Sequence, residues 1–177
     1  ATNANYIEAG EQAHEKAQRA VELASGPTGI PEQGALHLLH HDPKTLGPIL
    51  FAAHCSSCHR FDGHDGTGNV PLDTSSAPDL KGFASRAWLT DLLKPEHIAT
   101  KRYFGETAFR NGDMVRFVNK KVSQFDKEEK LALERAIKAL SAEAGLGRQA
   151  EAEEVEADLI ILGKEDLGYE LGCSDCH

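Results

Sequence analysis

Apolar positions along this chain recur three and four residues apart and nowhere alternate, which predicts helices and no strands. Residues 6 to 24, YIEAGEQAHEKAQRAVELA, place Ala13, Ala17, Val21 and Ala24 down one side with charges opposite, an amphipathic helix. SGPTGIPEQG then breaks the pattern and reads as an extended connector. A short helical turn comes next in ALHLLHHDPKT and ends at Pro43. From residue 46 the stretch LGPILFAAHCSSCH is Ala-rich and helical, and RFDGHDGTGNVPLDTSSAPDLKG after it is a long loop. Further helices are predicted at 85 to 94, 112 to 120 and 126 to 141, the last with Leu131, Leu133, Ile137 and Leu140 on its buried side. The acidic, Ala-rich stretch 143 to 158 reads as a helical or solvated spacer. The fold class is all-α.

Composition narrows the function classes. A chain of 177 residues suits one ordinary domain or one and a half small ones, with apolar content enough for a core but few aromatics. The net charge of -9 argues against a nucleic-acid partner, and no apolar run approaches the length of a membrane span. ATNANYIEAG has neither the basic start nor the apolar stretch of a signal peptide, so the expectation is a processed chain or part of a longer one.

The chemistry lies in a repeated motif. FAAHCSSCHR at 51 to 60 contains C-x-x-C-H, and CSDCH at 173 to 177 repeats it, so that the two copies use all four cysteines. Thiols at i and i+3 project from about one helical turn, the spacing at which Cys55 and Cys58 can each add across one vinyl group of the same haem. The next residue is carried under the macrocycle, which makes His59 the proximal iron ligand and His177 its counterpart beside Cys173 and Cys176. A zinc knuckle would want paired clusters closer together, and a thioredoxin-like redox pair would want a strand leading into the motif; neither matches this context. Covalent haem c points to an exported compartment. The single methionine, Met114, comes after NGD at a loop-to-helix junction 55 residues beyond His59, and is the expected sixth ligand of the first haem.

Residues 46 to 141 resemble a class I c-type cytochrome in an ordered set of features: Gly47 and Phe51 before CSSCH, then APDLKG, Trp88, Met114 and a closing helix. The resemblance implies that the Pro78 carbonyl accepts a hydrogen bond from the second nitrogen of the His59 imidazole. It also implies that Trp88 faces the haem or its propionates, a core aromatic being the alternative, with Arg60 and Arg86 as candidates to pair with propionates. One departure is that the closing helix lacks an aromatic where it should cross the helix leading to the first motif; Ile137 or Leu133 is expected to fill that contact. The leader, through GIPEQGALHLLHHDPKTLGPILF, resembles the segment before the haem domain in cytochrome c modules joined to b-type subunits of quinol-oxidising complexes, which implies the soluble tail of a membrane partner.

The second motif is approached as the first is: Leu-Gly at 162 and 163 echoes Leu-Gly at 46 and 47. The expected organisation is an N-terminal helix and connector over 1 to 45, a class I domain over 46 to 141, a linker over 142 to 156, and the truncated start of a second haem domain over 157 to 177. A terminal haem that borrows a ligand from His14, His37, His40, His41, His54, His64 or His97, or that stays five-coordinate, are the other readings. The loop DGHDGTGN at 62 to 69 has the composition of a calcium loop but lacks the closing Glu. The function expected is single-electron transfer between redox protein partners of a respiratory chain, a membrane b-type subunit being one candidate. A peroxidase-like dihaem enzyme with an open iron at His177, or a haem-based gas-binding module, are the alternatives.

Overall fold

Asp42 ends one helix and starts the next. In a computed structural model that describes residues 4–177, it stands between α2 (Ala35–His41) and α3 (Pro43–His54), after α1 (Ala4–Ala24). Its carboxylate accepts from the Thr45 amide at 3.1 Å, and Pro43 supplies the pre-set first turn, so α3 begins here for local reasons. Arg19 of α1 donates to the same carboxylate through Nε (3.0 Å) and Nη2 (2.7 Å). These bonds hold the Asp42 carboxyl well below the usual carboxylate range.

The Arg19–Asp42 pair also sets which side of α1 is covered. Arg19, Ala20, Leu23 and Ala24 are half-buried, whereas Ala13, Ala17 and Val21 are exposed, so the alanine stripe expected to be covered is covered only at Ala24. The described residues divide into two compact units, one running to Ser56 with Asp65–Asn69, the other comprising Ser57–His64 and Val70–His177. The division falls inside the first C-x-x-C-H. In the first unit α1 packs on α2 and α2 on α3.

The second unit holds α4 (Arg86–Leu92), α5 (Pro95–Ile98), α6 (Asp113–Lys120), α7 (Lys127–Glu143), α8 (Ala150–Val155) and α9 (Ala157–Gly168), and no strand occurs among the described residues. The molecule is all-α, as the periodicity predicts. Its core gathers Ile98, Val115, Val118, Val122, Phe125, Ala132, Ala136 and Leu171. A capping box starts α7: the Asp126 side chain accepts from the Glu129 amide, and the Glu129 side chain accepts from the Asp126 amide.

Within the second unit α7 is crossed by α9. Gly163 of α9 is buried against the α7 backbone, where a Cβ would come within 2.1 Å of the Arg135 carbonyl oxygen. So close an approach requires small residues opposite, and the buried positions of α7 are Ala132, Ala136, Ile137, Ala139 and Ser141. Of the four residues expected on the buried side of α7, Ile137 is buried and Leu133 half-buried, but Leu131 and Leu140 are 46% and 40% exposed. Ion pairs flank the crossing: Arg135 with Asp166 (2.7 Å), Lys164 with Glu143 (2.6 Å), and Lys138 with Glu156 (2.8 Å). The spacer expected between domains is ordered as α8 and packs on both α7 and α9.

Candidate functional site

The first motif lies directly after α3. Cys55 caps the helix with its amide on the Phe51 carbonyl (2.8 Å), and the Ser56 hydroxyl donates to the Ala52 carbonyl (2.7 Å). No disulfide joins the four cysteines. A hydrogen bond from Ser76, then one from Ser57, lowers the Cys58 thiol pKa.

In the second unit the segment 76 to 82 forms a cradle for His59. The amides of Ser76 and Ala77 both donate to the Cys58 carbonyl at 3.1 Å, and the Leu80 amide donates to the Arg60 carbonyl at 2.8 Å. Between those ties the His59 Nδ1 donates to the Pro78 carbonyl at 2.7 Å. That bond makes Nε2 the nitrogen able to bind iron. Asp79 stiffens the cradle, its carboxylate accepting from the amides of Asp62 (3.0 Å), Gly63 (2.7 Å) and Lys81 (2.8 Å). The donor set of CSSCH, two cysteine sulfurs outside any disulfide and an imidazole oriented through its other nitrogen, fits a covalently held haem.

Trp88 stands on the far side of this cradle. Its indole N–H donates to the Asp79 carbonyl at 3.0 Å, and its ring meets Tyr103 and Phe83 edge to face at 5.3 and 5.0 Å. It is 5% exposed and lines, with Arg60, Asp79, Lys81 and Arg102, a cavity of about 690 Å³. Arg60 is itself buried, donating to the carbonyls of His59 (2.9 Å) and Asp73 (2.5 Å). Arg86 is engaged elsewhere, in an ion pair with Glu156.

The second motif is delivered by α9. After Gly168 the fully buried Leu171 plugs the core, and Gly172 takes a left-handed φ of 65° that turns the chain into Cys173, a conformation costly for other residues. Cys173 to Asp175 form a 3₁₀ turn, closed by the amides of Cys176 (3.3 Å) and His177 (3.2 Å) on the Cys173 carbonyl. Burial raises the Cys173 thiol pKa, with the Lys121 ammonium acting weakly against it.

These residues close a cavity of about 920 Å³, near the top of the roughly 300–1,000 Å³ typical of organic ligand sites. Its walls include Leu93, Phe117, Leu133, Ile137, Leu140 and Leu167, and Cys173, Cys176 and His177 lie along it. An apolar volume of this size beside two thiols and an imidazole fits a haem as the first motif does. Met114, on the first turn of α6, also lines this cavity. Neither His64 nor His97 lines this cavity; His97 bonds Asp91 at 2.8 Å instead.

The structure therefore brings His59 and Pro78 together, puts Trp88 and Arg60 around one cavity, and groups Met114 with Cys173, Cys176 and His177. Sequence reasoning passes over Asp79 and Gly163: the first is marked only by its place in the Pro-Asp-Leu turn, and the second repeats a Leu-Gly pair whose packing role becomes visible at the crossing. The calcium-like loop uses Asp65 on its own Thr67 and Asn69, and no group of three or more His, Cys, Asp or Glu among the described residues is placed to hold a metal ion. A family model described as cytochrome c matches residues 45–141, more than half of the chain. Neither the curated proteins nor the solved structures contain a match.

Proposed function

The chain belongs to the cytochrome c family, a haem-binding electron-transfer protein, and from that premise we propose that it is an exported carrier with haem c on both motifs, passing single electrons between redox proteins of a respiratory chain. The observation that carries this reading is the His59 Nδ1 bond to the Pro78 carbonyl. It fixes the ring by a backbone group in a segment pinned on both sides, so the imidazole is aimed before any ligand arrives. Haem bound at such a site supplies an iron that gains or loses one electron. In each turnover one electron enters from a donor protein and the same electron leaves to an acceptor, with no proton or group transferred.

The residues assigned to the first haem are Cys55, Cys58 and His59, with Pro78 as the ring's partner and Trp88 and Arg60 beside the cradle. Cys173, Cys176 and His177 hold the second. Among the described residues no helix is long and apolar enough to cross a membrane. The leader suggests a b-type membrane subunit as one partner. The net charge of -9 favours partners that present a basic face, with an association rate that falls as salt rises.

The intact mass of the denatured protein tests the reading. The expected mass is that of the polypeptide plus two haems, decreasing by one haem in Cys55→Ala/Cys58→Ala and by one in Cys173→Ala/Cys176→Ala. A protein exported with its thiols free under haem-attaching conditions would overturn it.

A further inference from the structure

We propose that the cavity of about 690 Å³ beside the His59 cradle binds a small phosphate anion, and that its occupation lowers the potential of the haem at His59. The binding stands on the chain's own residues; the effect on potential rests on the reading that Cys55, Cys58 and His59 hold haem.

Charge marks this cavity. The chain has 28 acidic against 19 basic side chains, yet five of the 19, Arg60, Lys81, Lys101, Arg102 and Arg148, line this one space. Two carboxylates share the lining, and both are engaged: Asp62 is paired with Lys81, and Asp79 accepts from the amides of Asp62, Gly63 and Lys81. The other cations are held more loosely. Lys101 reaches Glu106 only at 3.7 Å with 76% of its side chain exposed, and Arg102 reaches Asp91 only at 3.8 Å. Arg148 is exposed and makes no ion pair with a described residue.

These side chains come from four separate stretches of the second unit, so their charges converge on a volume instead of lying along one helix face. Convergent like charges repel, and a multivalent oxyanion relieves that repulsion from several sides at once. A tetrahedral phosphate suits such a site better than a planar carboxylate, which one guanidinium fork can satisfy from one side. Trp88 contributes a buried ring, its indole N–H being occupied by the Asp79 carbonyl, so the cations are the groups that meet the ligand.

The lining also touches the His59 site through two backbone links. Arg60 donates to the His59 carbonyl at 2.9 Å, and Asp79 follows Pro78, whose carbonyl accepts from the ring Nδ1 at 2.7 Å. Negative charge so near the ring stabilises the ferric state over the ferrous one, so the potential falls. Linkage then requires that the oxidised protein bind phosphate more tightly than the reduced protein by the same factor.

Calorimetric titration of inorganic phosphate into the oxidised holoprotein, at an ionic strength held constant with chloride, tests the site. One saturable site is expected, weakened about tenfold in Lys101→Gln/Arg148→Gln. No saturable binding, or equal affinity in that variant, overturns it. The coupling is read as the midpoint potential of Cys173→Ala/Cys176→Ala, which isolates the haem at His59. That potential is expected to fall as phosphate rises, and to hold steady over the same range once Lys101→Gln/Arg148→Gln is added. Binding with an unmoved potential, in a protein whose intact mass shows the haem, overturns the coupling. A mass showing no haem at Cys55 and Cys58 overturns the haem reading and the coupling with it, while the titration still decides the site.

Discussion

Gly163 of α9 lies so close to Arg135 of α7 that a Cβ on the glycine would sit 2.1 Å from the arginine carbonyl oxygen and 3.0 Å from the next amide nitrogen. Backbone cannot yield as a flexible side chain can, so the two helices would have to separate. Gly163→Ala is expected to destabilise the second unit by about 1–3 kcal/mol. Gly47, its counterpart in the first Leu-Gly pair, has nothing within 4 Å of the equivalent point. Gly47→Ala is expected to be neutral or to stabilise by up to about 1 kcal/mol, because alanine is the better helix former. Thermal unfolding monitored by circular dichroism checks both signs, and equal losses from the two variants would refute the distinction.

Asp79 holds three backbone amides from two sides of the His59 cradle. Asp79→Ala is expected to cost about 1–3 kcal/mol in denaturant unfolding. In the holoprotein it should also shift the potential of the haem at His59, because the Pro78 carbonyl that orients the ring is no longer held in place. Asp79→Asn keeps an acceptor for the amides of Asp62 and Lys81 and should recover part of both effects. A potential unmoved by either variant would show that the ring is oriented by something else.

Tyr103 is fully buried and its hydroxyl donates to the Trp88 carbonyl at 3.3 Å. Burial pushes its pKa up to about 12. A phenol whose folded pKa lies above its unfolded value of about 10 contributes stability that is intact below the unfolded value and is lost as pH rises toward the folded one. Stability should therefore fall between about pH 10 and about 12, and Tyr103→Phe should flatten that decline. The lost hydrogen bond should cost the variant about 1 kcal/mol at neutral pH. Urea midpoints measured across this range give the slope directly.

How much of this the sequence discloses varies from residue to residue. The C-x-x-C-H copies and the helical class are legible because each depends on local spacing, whereas the part of the Pro78 carbonyl is legible only through the resemblance. The buried face of α7 is legible only in part, because hydropathy ranks Leu above Ala as the residue to bury. The helix that crosses α7 carries a glycine at the contact, which draws Ala132, Ala136 and Ala139 inward and leaves Leu140 for the cavity. That Met114 lines one cavity with Cys173, Cys176 and His177 is hidden for a related reason: α9 brings a distant segment beside α6, and spacing along the chain does not show it. α5, one turn at Pro95–Ile98, is too short to show a period.

Gly163 against Arg135 and the Arg135–Asp166 pair, which seat α9 on α7, lie away from the exposed run of Ala144, Gly145, Gly147 and Arg148 that joins α7 to α8. A protease cut after Arg148 is expected to leave two fragments clasped through the Gly163 contact and the Arg135–Asp166 pair, co-eluting until denatured.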